Sequence, residues 1–140
     1  MAVVAEYLVD TSALSRMDDA AVYSVVGPLI ERGLVATAAP LDWEFLWTAQ
    51  NLTEYEQIWQ DREVLYEYLY TDDEHWRRAL EAQRALAQIS ILRAIKIVDL
   101  LVAALAEAHR LTVIHYDSDF EIASQVMNFS HQWVVPRGTI

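Results

Sequence analysis

The chain contains no cysteine, which excludes disulfides, thiolate metal sites and a cysteine nucleophile. Its four histidines are scattered, without the spacing of an imidazole-rich zinc site, so any metal would be held by oxygen. Glycine and proline number three each, and no repeat or low-complexity stretch marks a linker. Charges interrupt the apolar runs well short of the ~20 residues a membrane span needs. The N-terminus also lacks a basic segment followed by an apolar one. These absences predict a soluble cytoplasmic protein with no membrane association and residues 1–140 forming a single domain.

What is present is apolar and acidic. Hydrophobic residues make up 54% of the 140, enough for one core. A net charge of −11 argues against a nucleic-acid partner, because basic surface supplies most non-specific affinity for phosphate. The distribution weakens that objection. Residues 53–81 hold nine acids against Arg62, Arg77 and Arg78, while the remainder holds twelve acids against seven bases. Five of those twelve are Asp10, Glu44, Asp99, Asp117 and Asp119. If these bind cations, the chain outside 53–81 is balanced, and the acidity is partly a helical face and partly a metal site.

Short apolar stretches at Tyr7-Leu8-Val9, Leu34-Val35-Ala36-Thr37 and Thr112-Val113-Ile114-His115 read as buried strands, with Val134-Val135 as a candidate fourth. Asp18 and Asp19 sit where a helix start favours acids, and the apolar positions that follow run to Gly33. Pro40 suits the start of a helix reaching about Gln50. Thr53 with Glu56, and Thr71 with Glu74, have capping-box spacing and predict helices from about 54 and about 72. Lys96 to His109 is almost continuously apolar around Asp99 and fits a helix buried on several sides. Strands alternating with helices imply an α/β sandwich, with a mostly parallel central sheet of four to five short strands covered on both faces. Ligands of such sheets sit outside the carboxyl ends of the strands. Asp10 and Asp117 each follow a strand, while Asp99 and Glu44 lie in the first turns of helices, so all four are placed to face one crevice.

One aspartate after a strand serves equally well as a turn or cap residue. Several converging acids repel one another unless a cation lies between them. Oxygen ligands without Cys or His point to Mg2+ or Mn2+, and the natural chemistry of such a site is phosphodiester hydrolysis.

Three blocks carry a resemblance: Leu8-Val9-Asp10-Thr11-Ser12-Ala13-Leu14, Lys96 through Ala104 around Asp99, and Val113-Ile114-His115-Tyr116-Asp117-Ser118-Asp119-Phe120. In order and spacing, with a Pro-x-x-x-Glu segment between the first two, they resemble the signature of VapC-type toxins of the PIN-domain family. The resemblance implies a single PIN-like domain and an endoribonuclease with a Mg2+ or Mn2+ cofactor. It makes Asp10, Glu44, Asp99 and Asp117 the acidic quartet, with Asp119 an auxiliary ligand. Asp42 contends with Glu44, but its place just after Pro40 suits helix capping. Thr11 and Ser12 match hydroxyl positions of the motif and would orient a ligand; for Thr11 a helix N-cap is the other reading. Arg93 and Lys96 precede Asp99 and either approach the scissile phosphate or belong to a solvated loop. His115 shares a side of the sheet with Asp117, and a buried, hydrogen-bonded histidine is favoured over a general base.

Tyr55, Trp59, Tyr66 and Tyr70 recur at near-helical intervals, followed by Trp76. They read first as core and second as an apolar groove for another chain. The resemblance implies an RNA substrate (transfer RNA being the family-level guess), a cognate VapB-like antitoxin and a homodimer. Two rivals stand beside the nuclease: a non-catalytic interaction module with the same fold, and a metal-dependent phosphatase or DNA nuclease using the same ligands.

Overall fold

A computed structural model describes residues 2–140 of the chain. Five strands form one all-parallel sheet: β1 (Tyr7–Val9), β2 (Val35–Ala38), β3 (Glu67–Leu69), β4 (Thr112–His115) and β5 (Ser130–Trp133). Seven helices accompany them: α1 (Thr11–Leu14), α2 (Ala20–Glu31), α3 (Ala39–Leu46), α4 (Leu52–Leu65), α5 (Asp73–Gln88), α6 (Ile97–His109) and α7 (Asp119–Ala123).

The sheet order is β3-β2-β1-β4-β5. The chain winds outward from β1 in one direction, then crosses back to place β4 on the other side of β1. A crevice therefore opens at the carboxyl ends of β1 and β4, the switch point where such sheets bind ligands. The alternation of strand side chains fills both faces. Leu8 and Val113 join Val102, Leu105 and Phe120 on one face, while Val9 and Ile114 pack with Val22, Val26 and Val35 on the other.

Asp19 caps α2 by accepting from the backbone N–H groups of Ala21 and Val22, and Gly33 beyond its end takes φ +69°. Several local expectations are corrected. Asn51, not Thr53, caps α4 through a 2.8 Å bond from the Glu54 N–H. Asp72, not Thr71, caps α5, with the His75 imidazole accepting from the Asp72 N–H, and the Thr71 hydroxyl is buried without a partner. The helix from Pro40 ends at Leu46 rather than near Gln50. The last strand is Ser130–Trp133 rather than Val134-Val135, and β3 was absent from the sequence reading. No helix among the described residues is long and apolar enough to cross a membrane.

Candidate metal centre and its neighbours

Asp10 is the residue at which β1 stops. Its backbone is extended, its N–H continues the ladder to the Ile114 carbonyl at 2.8 Å, and its side chain caps the four-residue α1. Carboxylate Oδ2 accepts from both the Ser12 N–H (3.0 Å) and the Ser12 hydroxyl (2.6 Å). The same hydroxyl accepts from the Tyr116 N–H at 2.9 Å, tying the end of β1 to the end of β4. Asp117 lies just beyond β4, and its Oδ1 accepts from the Asp119 N–H at the start of α7. Asp99 enters from the first turn of α6, all of whose residues from Asp99 to Ala106 are buried. Glu44 is half-buried on α3, the helix that follows β2.

Among the described residues, carboxylate oxygens of Asp99, Asp117 and Asp119 lie within 4.8 Å of one another. Asp10 and Glu44 fall outside that close group but within its field. Burial, then the charges of Asp10, Asp117, Glu44 and Asp119, push the Asp99 carboxyl up to about 8. Burial also raises the Asp10 carboxyl, with Glu44 and Asp117 adding to the rise and the two Ser12 hydrogen bonds opposing it. Burial is again the largest cause for Asp119, which is raised as well. Two buried polar atoms here have no hydrogen-bond partner, Asp10 Oδ1 and Thr11 Oγ1. An all-oxygen donor set, mutual repulsion and an unpartnered buried carboxylate oxygen fit a hard divalent cation. Thr11 is the first residue of α1 and Asp10 its cap, so the N-cap reading of Thr11 is set aside.

Residues 7–125 match the PIN domain family. The chain belongs to the PIN-domain family. Within it, the chain is of the VapC type. It is 42% identical over 135 residues to Ribonuclease VapC51 of Mycobacterium tuberculosis (strain ATCC 25618 / H37Rv), covering 96% of this chain and 97% of that protein. Identity to Ribonuclease VapC21 of the same strain is 40% over 133 residues, covering 95% and 96%. Among solved structures, DNA-bound VapBC from Salmonella typhimurium superposes with a TM-score of 0.73 at 13% identity, covering 94% of this chain and 99% of that one. At that identity the likeness concerns the fold.

Asp42 does not cap α3: it accepts from the Thr37 hydroxyl and the Arg62 guanidinium, each at 2.7 Å. That partnership turns it away from the free carboxylates and leaves Glu44 as the α3 acid felt by Asp10 and Asp99. His115 is fully buried. Its Nδ1 accepts from the Asp117 N–H at 3.2 Å, which assigns the proton to Nε2, 2.9 Å from His131 Nδ1. Burial, then His131, push the ring down to about 4, which favours its neutral form. Arg93 and Lys96 are both exposed, have no ion pair among the described residues, and border a cavity of about 430 Å3 that reaches Asp119.

The sequence reading missed Arg16. One turn after Ser12, its guanidinium donates to the Ser12 carbonyl and lies 4.7 Å from the centre of the Tyr116 ring. The signal was the i, i+4 spacing from a motif hydroxyl. The aromatic stripe also departs from expectation. Trp59 is 46% exposed, and with Trp43 (68%), Tyr55 and Tyr66 it borders a cavity of about 600 Å3 between α3 and α4. At this cavity Arg62, 6% exposed, is held between the rings of Phe45 and Tyr66. None of the five aromatics is buried, which overturns the core reading, and three of them, Tyr55, Trp59 and Tyr66, share the groove.

Proposed function

We propose that this protein is a Mg2+- or Mn2+-dependent endoribonuclease, the toxin of a toxin–antitoxin pair, and that residues 1–140 act as one catalytic unit. The observation that carries the reading is the convergence of Asp99, Asp117 and Asp119, with oxygens within 4.8 Å, at the β1/β4 switch point. The VapC ribonucleases it resembles over nearly its whole length point to RNA as the substrate. Asp10, Asp99 and Asp117 would hold the ion, with Glu44 and Asp119 completing the set. When bound, the ion supplies Lewis-acid polarisation of the scissile phosphate and makes water a competent nucleophile near neutral pH. Ser12 fixes Asp10 through two hydrogen bonds to one oxygen, leaving the other oxygen free to ligate. Products would carry 5′-phosphate and 3′-hydroxyl ends, and transfer RNA is the first substrate to try.

The partner is a VapB-like antitoxin, present with the toxin in the cytoplasm, one segment of which occupies the α3/α4 groove. Two observations support this: the exposed tryptophans at the groove, and the excess of acids over bases in 53–81, which suits a basic segment. A homodimer belongs to the same reading, and the exposed Trp76 and Leu80, one turn apart on α5, offer apolar surface for it.

The test is digestion of total cellular RNA by protein freed of partner, with Mg2+ or Mn2+ and with EDTA, beside Asp10→Asn and Asp99→Asn. Discrete metal-dependent fragments lost in both variants are expected. Cleavage of single-stranded DNA or a phosphate monoester in place of RNA would overturn the substrate, and intact RNA with the ion bound would turn the reading to a non-catalytic module.

A further inference from the structure

Resting on the reading of the acid crevice as an RNA-cleaving centre, we infer that the cavity bordered by Gln83, Leu92, Arg93, Lys96, Ile97 and Asp119 is a subsite for the nucleotide flanking the scissile phosphate. In it Lys96 and Arg93 hold the phosphate and the apolar rim supports the base.

Charge is the first reason. A chain of net charge −11 that binds RNA must concentrate its cations along the strand's path. Of its ten bases, Arg62, Arg77 and Arg78 are committed to acids, Arg16 is bonded to the Ser12 carbonyl, Arg137 lies over the Trp133 ring, and Arg84 is exposed on α5 but does not border the cavity. Arg32 and Arg110 precede β2 and β4, so they sit at the amino edge of the sheet, away from the crevice. Arg93 and Lys96, the chain's single lysine, are uncommitted and border a cavity that the candidate ligand Asp119 also borders.

Backbone and surface agree. Lys96 is the N-cap of the 13-residue α6, and no side chain caps the helix, so its first N–H groups add a partial positive charge on the same side. The cavity, about 430 Å3, falls within the range of small-ligand sites. Leu92 and Ile97, 45% and 58% exposed, are apolar side chains left in solvent beside two cations. That combination suits a nucleotide, with a flat apolar face joined to an anion. The Gln83 amide is the group at hand for a base edge.

The test measures the Kd of a fluorescein-labelled oligouridylate by anisotropy, with Ca2+ in place of the catalytic ion, and in parallel its cleavage with Mn2+. It compares wild type, Arg93→Gln, Lys96→Gln, the double variant, Lys96→Arg, and Arg32→Gln as the control at the far edge. The double variant should weaken Kd and raise KM about tenfold with kcat near wild type, and its plot of log K against log salt should flatten by about 0.7 per lost phosphate contact. Lys96→Arg should recover most of the loss. Cleavage with Kd, KM and salt slope all unchanged, or an equal loss in Arg32→Gln, overturns the subsite and leaves the nuclease standing. Binding that weakens as expected with no cleavage by wild type overturns the nuclease and leaves the subsite standing. No binding by wild type overturns both.

Discussion

The acid crevice and the aromatic groove are opposite solutions to holding a surface ready for a ligand. The crevice places charge where it is costly. Asp10 and Asp99 are 3% and 4% exposed, on elements that belong to the sheet and the buried α6, so mutual repulsion is borne by the core. The groove places apolar surface where it is costly. Trp43 is 68% and Trp59 46% exposed on α3 and α4, and Arg62 is the one buried residue of α4. One region is short of a cation and the other of a hydrophobic covering. Relieving each shortage should therefore stabilise the protein by a different route, and damage to one should spare the other.

The strongest way to break that separation is Asp99→Asn. Cleavage should fall at least about a hundredfold, from loss of a ligand. In EDTA at pH 8 the variant should melt no lower than wild type, because it removes a repelled charge; a lower melting temperature there would refute the repulsion account. Next in size, Trp59→Ala should leave cleavage and metal response unchanged while weakening antitoxin binding about thirtyfold by calorimetry, as for a buried aromatic anchor. Ser12→Ala removes the hydroxyl bond to Asp10, leaving only the backbone one, and unties the Tyr116 N–H, so cleavage should drop about tenfold, with a metal affinity reduced to match.

The smallest effect is a pH dependence. Asp99, held near 8 in the fold against about 4 in the unfolded chain, binds its proton more tightly when folded. Its contribution is therefore greatest in acid and is lost as pH rises through the window from about 4 to about 8. Asp10 and Asp119, raised as well, act in the same direction. Melting scans in EDTA should show the melting temperature falling across that window. Saturating Mg2+ or Mn2+ should restore it at pH 8 and do little at pH 5. Trp59→Ala should retain this metal-dependent difference, and Asp99→Asn should lose most of it.

Legibility followed the same division. Asp10 could be read because Tyr7-Leu8-Val9 is apolar and ends abruptly at a polar triplet, and Asp99 because an acid inside a continuously apolar helix stands out. Both are set by core burial, which leaves a pattern. β3 left none: of Glu67-Tyr68-Leu69 only Leu69 is buried, and the strand forms at the sheet edge by pairing with β2. β5 is likewise partly exposed, and neighbouring Val134-Val135, both buried, drew the strand assignment away from it. Thr53 and Thr71 had the right spacing for caps, yet Asn51 and Asp72 nearby captured the helix ends. The aromatic stripe was legible as a stripe but not as a groove, since periodicity reports a shared face and not what covers it. Arg16 acquires its place through the Ser12 carbonyl and through Tyr116, the second a hundred residues away in sequence.

The pairing of β1 with β4 also decides when in its own synthesis the protein becomes complete. A nascent chain that has reached Tyr116 already contains Asp10, Glu44 and Asp99, yet Asp117 and Asp119 are still to come. The carboxylate that follows each strand at the switch point is thus separated from its counterpart by the whole stretch of chain between Asp10 and Asp117. On the proposed reading, a polypeptide interrupted before that point would lack two of its five acids, so the ribosome making this protein is not exposed to a cutting fragment of it.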